Sequence, residues 1–372
     1  MNFRKLMIQS VAFCAASGLY AQAESPLGLD KFDKSNIFCR NQCLPGNYVL
    51  QGFNLDSDGS VWLTNTGPRD KIVLTHVVPD ASADLKKDNL GYMVFNYFGH
   101  GTNTAIEEVG DDRYFWLGCF GSSNKDGFYW TEKLIGRVKF APGDTITPDK
   151  CDEYYYIGEY DNMHPSIDKE NDLLTINYSD VVNGSFRCFV VYNLSEARNA
   201  PLKDVTISCT DAFKSGDKRS LNKTDVTVEA RDLTQLTPIA RPKFLKTGYG
   251  NKGDRYYAWQ GYDVKGDRLY YMDGQAHIDG KPGDALSGHS KAYMTVFDMK
   301  GNVVEPRTEV TVVGDPDALS KFALSHHWSM ESEGVKVDGP DIYLGFGAIG
   351  ADKENPQQRT NHIFKFTKAP AK

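Results

Sequence analysis

The chain has 372 residues, 24% of them charged, with 42 Lys and Arg against 49 Asp and Glu and a formal net charge of −7. That acidic balance makes it a poor generic ligand for nucleic acid or for anionic membrane surfaces, so no nucleic-acid partner is expected. Beyond the N-terminal segment there is no apolar run of the roughly 18 residues needed to cross a bilayer, and no membrane insertion is expected either.

Residues 1–23 read as a signal peptide. Arg4 and Lys5 precede an apolar run from Leu6 to about Tyr20, and Ala21-Gln22-Ala23 has the small-x-small pattern of a peptidase site. Cleavage after Ala23 removes Arg4 and Lys5, takes the net charge from −7 to −9, and sends residues 24–372 to the periplasm or the exterior. A lipid anchor on Cys14 would need small residues before it, and Phe13 stands there. The mature chain keeps an even set of cysteines, Cys39, Cys43, Cys119, Cys151, Cys188 and Cys209, which suits export and disulfide formation. Their order suggests Cys39–Cys43, Cys119–Cys151 and Cys188–Cys209, each closing a local loop. A zinc reading of Cys39 and Cys43 lacks a second Cys/His pair at finger spacing.

Next along the chain, one phrase returns five times: a small residue and an apolar one, a charged or Gly-rich turn, then an aromatic or aliphatic strand. The copies span 51–62, 104–115, 165–174, 260–270 and 333–343. A period of this kind marks a radially repeated sheet. The turns, Asp58-Gly59, Gly110-Asp111, Glu170-Asn171, Gly266-Asp267 and Asp338-Gly339, are hairpin chemistry. Third strands with period-two alternation follow at Ile72–Val78, Leu134–Phe140, Arg187–Asn193, Ala292–Asp298 and His362–Phe366. Fourth strands are expected at Tyr92–Phe95, Glu153–Ile157, Val205–Ser208 and Glu309–Val313. The chain ends too soon after Phe366 to supply a fifth, so the segment between about Leu27 and Tyr48 is the expected donor. The fold class that follows is all-β: one five-bladed β-propeller over residues 24–372, with four-stranded antiparallel blades and a ring closed by the N-terminal segment. The surplus at about 210–255 reads as an insertion on one face, and Asp317–Phe322 as the one short helix.

Two motifs take bland readings. Asp56-x-Asp58-Gly59 resembles the start of a calcium loop but lacks the further acidic ligands, and it falls on a hairpin turn. Gly345-x-Gly347-x-x-Gly350 matches a dinucleotide fingerprint, yet no apolar helical face follows it. There is no nucleophile elbow, no His-Glu-x-x-His and no phosphate loop. No cofactor is expected and no catalytic residue is assigned.

The start of each repeat is more informative, because first strands line a propeller's channel and the residues that begin them rim one mouth. Aligned there, Gln51, Asn103, His164, Gln260 and Glu333 form a polar ring, with Trp259 beside Gln260 and His100 and His327 just ahead of the second and fifth repeats. These eight residues are the candidate ligand-binding set. Three readings compete: groups that satisfy one another around water, a sugar- or polyol-binding mouth with Trp259 or Trp328 as an apolar face, and catalysis by Glu333 or Glu331 with a histidine.

The order of Leu50-Gln51-Gly52-Phe53, Phe98-Gly99-His100-Gly101, Gln260-Gly261-Tyr262, Glu333-Gly334-Val335 and Ile342–Phe346 resembles the β-propeller domain shared by phage receptor-binding proteins, teichoic acid biosynthesis protein C and helveticin-like bacteriocins. The resemblance spans nearly all of the mature chain. It implies five blades and, from the phage members, recognition of cell-surface glycopolymers, and it implies no catalytic residues. The paired cysteines, the long third unit and His326-His327-Trp328 depart from that pattern. The leading expectation is an exported, monomeric propeller that binds a carbohydrate or cell-envelope glycopolymer at one mouth. The alternatives are an extracytoplasmic glycan hydrolase or lyase, and a bacteriocin-like secreted antagonist.

Overall fold

The computed structural model describes residues 27–42, 46–67, 71–82, 89–123, 129–179, 186–217, 219–245, 257–281, 287–325, 330–349, 355 and 357–368. Residues 1–23, Cys43 and His327 lie outside these. The inner strands are Val49–Leu55, Ala105–Val109, Asp161–Asp168, Ala258–Lys265 and Met330–Asp338. Each turns into a second antiparallel strand and then a third, giving five blades. Positive φ at Gly59, Gly110, Gly266 and Gly339 makes four of the turns, and Asp172 (φ 54) does so in the third blade.

The core lies between blades rather than within them. Five buried clusters each join two neighbours, such as Trp62 and Leu74 against Phe115 and Leu117, or Met272 and Met294 against Leu344 and Phe346. A four-stranded sheet cannot bury both faces alone, and stacking five of them radially does so. The last blade takes its outer strand from the start of the described chain: Ile37–Gln42 pairs antiparallel with Arg359–Thr367. Phe32 packs edge-on against Phe322 and Phe364 beside it, so the latch is a packed one.

Outer strands depart from expectation in two blades. Gly91–Phe95 and Glu153–Tyr156 sit where the alternation puts them. Val205–Ser208, however, belongs to a hairpin of Leu202–Thr210 with Lys223–Asp232 that joins the second blade by a short parallel pairing with Glu153–Tyr156. The reason is burial: Val205, Ile207, Cys209 and Ala230 complete the cluster between the first and second blades. The third blade's outer strand is instead Lys243–Leu245, and the fourth blade's is Val303–Glu309, with Thr311–Gly314 a 3-10 turn. The expected short helix is Pro316–Lys321, its N-terminus capped by Asp315, and it is joined by two that were not expected, Leu194–Arg198 and Ala212–Ser215.

The cysteines are also placed by packing rather than by order in the chain. Cys39, Cys119, Cys151, Cys188 and Cys209 are all free thiols. Cys119 hydrogen-bonds Cys151, and Cys209 sits in the same cluster, whereas Cys188 is in the core between the second and third blades. The expected disulfides Cys119–Cys151 and Cys188–Cys209 are therefore both corrected. Burial pushes the thiols of Cys39 and Cys209 up to about 11, which leaves them protonated and unreactive.

At the axis the inner strands touch. A Cβ on Gly261 would lie 3.1 Å from the Gly334 Cα, and one on Gly334 would lie 3.4 Å from the Gly52 Cα. Gly261 (φ 124) and Gly334 (φ 128) also hold backbone conformations that a side chain disfavours. Below this waist one polar residue from each blade joins a ring. Asn54 Nδ2 donates to Thr104 Oγ1 at 3.0 Å, and Lys336 Nζ donates to the Thr104 carbonyl at 3.2 Å. Lys336 Nζ stands 3.8 Å from Asp263 Oδ1, which accepts from Ser166 Oγ at 2.6 Å. Asp263→Ala would strand the buried Lys336 ammonium, and a loss of about 3–5 kcal/mol is expected in denaturant titrations. The double change Asp263→Leu with Lys336→Met should cost less than that single one.

Candidate functional site

Above the waist the chain spends an extra residue at the head of the inner strands. The ladder shifts register between Leu50 and Gly52, between Asp161 and His164, between Trp259 and Gly261, and between Ser332 and Val335. Bulges of this kind re-aim side chains out of a sheet. Three of them free Gln51, Gln260 and Glu333, each 8% exposed or less. The recurring residue-then-Gly phrase is thus a bulge signal: the first residue leaves the ladder, and the glycine lets the backbones meet.

Glu333 is buried beside Glu331, with Arg359 nearby. Burial, helped by the charge of Glu331, pushes its carboxyl well above the usual range. It therefore holds its proton well above the pH at which an ordinary carboxyl ionises. Glu331 is raised too, chiefly by burial, and is opposed by His277, Arg359 and His100 and by a hydrogen bond from Gln260. The two acids, Gln260, His100 and Arg359 thus share one side of the upper mouth.

His164 and Trp259 form the other side, with ring centroids 4.6 Å apart. His164 Nδ1 lies 2.9 Å from the Thr102 carbonyl. A carbonyl only accepts, so Nδ1 carries the hydrogen and Nε2 is an acceptor. Burial, aided by the Arg187 guanidinium, lowers the imidazole to about 3, so the ring is neutral. Arg187 lies over the Trp259 ring at 4.8 Å. Among the described residues, neither the Trp259 Nε1 hydrogen nor the Arg187 Nε hydrogen has an acceptor, although both atoms are buried.

Asn103, Gln51 and His100 are each tied to the scaffold beside them. Asn103 holds a positive φ of 58, and its side chain is a strut: Nδ2 donates to the Pro165 carbonyl at 2.8 Å and Oδ1 accepts from the Tyr262 amide at 2.8 Å. It fastens the second blade to the third and fourth from beneath the mouth. Gln51 accepts from Thr102 Oγ1 at 3.3 Å, and the His100 amide donates to Glu132 Oε1 at 3.1 Å. Sequence reasoning did not single out Arg187, Arg359 or His277. All three sit on second or third strands, away from the repeat heads that served as the alignment mark.

In the first discounted motif both oxygens of Asp56 are held by Arg113, at 2.7 and 2.9 Å, and Trp62 Nε1 adds a bond at 2.8 Å. Asp56, Asp58 and His76, the last on strand Lys71–Val77, bring their ligand atoms within 4.8 Å of one another, a grouping that could hold a metal ion. Gly345 and Gly347 lie within strand Asp341–Ile349, where a Cβ on Gly345 would meet the Phe53 ring at 2.8 Å.

No protein-family model matches the chain, and no curated protein matches it. Among solved structures it is similar to the tail fiber of Staphylococcus aureus phage P68, with 12% identity over 92% of this chain and a TM-score of 0.53. The chain spans 55% of that protein's length. A GH43 β1,3 galactosidase with galactodeoxynojirimycin (9% identity, 86% of this chain and 90% of that one, TM-score 0.40) and the GH43_1 enzyme from Xanthomonas citri complexed with xylose (9%, 94% and 94%, TM-score 0.40) also align. At 12% identity the likeness to the tail fiber bears on fold alone.

His164 predicts an acid limit. Its folded value of about 3 lies below its ordinary 6.5, so as pH falls from 6.5 the unfolded chain binds a proton that the folded one refuses. Stability should drop by about 1.4 kcal/mol per pH unit from this residue alone. In His164→Asn the slope of stability between about pH 6 and pH 4, from urea titrations, should be shallower by about one proton.

Proposed function

We propose that the protein is an exported, monomeric binder of carbohydrate or cell-envelope glycopolymer that takes its ligand at the upper mouth. The observation that carries this is the pair of buried N–H donors without acceptors, Trp259 Nε1 and Arg187 Nε, beside the acceptor Nε2 of His164. Buried polar groups are almost always paired, and two neighbouring donors without acceptors call for a ligand atom. A sugar supplies hydroxyls to those donors and to Gln260 and Glu331, and an apolar face for Trp259. Export rests on the N-terminal segment, and fractionation of expressing cells tests it directly. Glycan arrays followed by calorimetry should find a glycan whose affinity falls about tenfold in Trp259→Phe, which keeps a ring and removes one donor, and in Gln260→Ala. If no glycan binds, or binding ignores both changes, the reading fails.

Glu333 favours one second reading, a glycan hydrolase. A buried carboxyl that keeps its proton next to a second carboxyl is suited to general-acid work. Under that reading Glu333→Gln abolishes product release from envelope polysaccharide yet leaves calorimetric binding within about threefold. Under the binding reading, wild type releases no product at all.

A further inference from the structure

The opposite mouth, where the inner strands run out into their turns, holds a cavity of about 250 Å³ floored by the polar ring. Asp168, on its wall, is 3% exposed. Its Oδ2 accepts from Asn171 Nδ2 at 2.6 Å and from the Gly266 amide at 2.7 Å. Its Oδ1 accepts no hydrogen bond; Lys265 Nζ stands 3.4 Å away as an ion-pair contact and is drawn to Glu170 at 2.8 Å. On the floor, the Lys336 ammonium has three hydrogens and two partners, the Thr104 carbonyl and Asp263. A buried carboxylate oxygen held only by an ion-pair contact and a buried cation with a hydrogen to spare therefore line the same space.

These are opposite demands, and a hydroxyl meets both because it donates once and accepts twice. The lining is acidic, with six carboxylates to three lysines, which excludes simple anions, and a simple cation would meet the ammoniums of Lys265 and Lys336 beside Asp168 and Asp263. The volume falls below the roughly 300–1,000 Å³ of pockets for drug-sized ligands, which suits one unit rather than a chain.

We propose that the lower mouth is a second binding site, for one small hydroxylated molecule such as a monosaccharide or polyol, whose hydroxyls donate to Asp168 and accept from Lys336. The glycine waist separates it from the upper mouth, so it does not rest on the function proposed there.

The test titrates the full chain with glucose, galactose, N-acetylglucosamine and glycerol, followed by saturation-transfer NMR and calorimetry. At least one should bind saturably, about tenfold or more weakly in Asp168→Asn and Lys336→Met, and unchanged in Trp259→Phe. Because changes in the ring can unfold the protein, Ile167→Trp is the decisive variant. Ile167 lines the cavity at the edge of the core between the second and third blades and is no member of the ring, so the added bulk should abolish binding in a protein whose thermal unfolding remains cooperative. The proposal is overturned if none of the four binds saturably, if binding survives in folded Ile167→Trp, or if Trp259→Phe removes it.

Discussion

Everything in this molecule hangs on how five inner strands meet at one axis. They meet closely because Gly52, Gly261 and Gly334 offer no side chains, and Asn103 reaches across to the backbones of two other blades. Directly below, Asn54, Thr104, Ser166, Asp263 and Lys336 bring one polar residue from every blade into a single connected ring. Such a ring is unforgiving, since each member leaves a buried partner stranded if it goes.

The same waist divides the channel into two chambers of different character. Above it, bulges throw Gln51, Gln260 and Glu333 out of their ladders and toward the mouth. There the chemistry is unbalanced: donors without acceptors on the Trp259 side, and crowded acids on the Glu333 side. Below the waist, ion pairs tie Asp168 to Lys265, Asp263 to Lys336 and Glu108 to Lys169, and the lining keeps an excess of acids. A scaffold that closes on itself at the axis can thus carry two unlike sites a short distance apart, each shaped by the strand ends at its own mouth.

Much of the architecture was legible because hairpins and alternation are local. The turns at Asp58-Gly59, Gly266-Asp267 and Asp338-Gly339, and the third strands, stand where turn chemistry and period-two patterning put them. The loan of Ile37–Gln42 to the last blade was legible by counting, since the ring would otherwise have ended one strand short. The allegiance of Leu202–Thr210 was not. A strand's alternation states that one face is buried without stating against which sheet, and the free apolar surface lay on the neighbouring blade. The cysteines fail for the same reason, with Cys209 drawn to Cys119 and away from Cys188.

The sequence by itself determined an all-β chain of five repeated hairpin units and the phrase that heads each one, because backbone sterics at turns and the two-residue period of strands are written residue by residue. Only the tertiary structure decided which of those head residues serve a mouth and which serve the axis. Asn103 and Glu333 align at equivalent positions, yet one is a strut with both ends of its amide bonded and the other a buried acid at the upper mouth. Arg187, Arg359 and Lys336 acquire their roles in the same way. Charge and hydrogen-bond demand are set by neighbours that lie far apart in the chain and are brought together only when the ring closes.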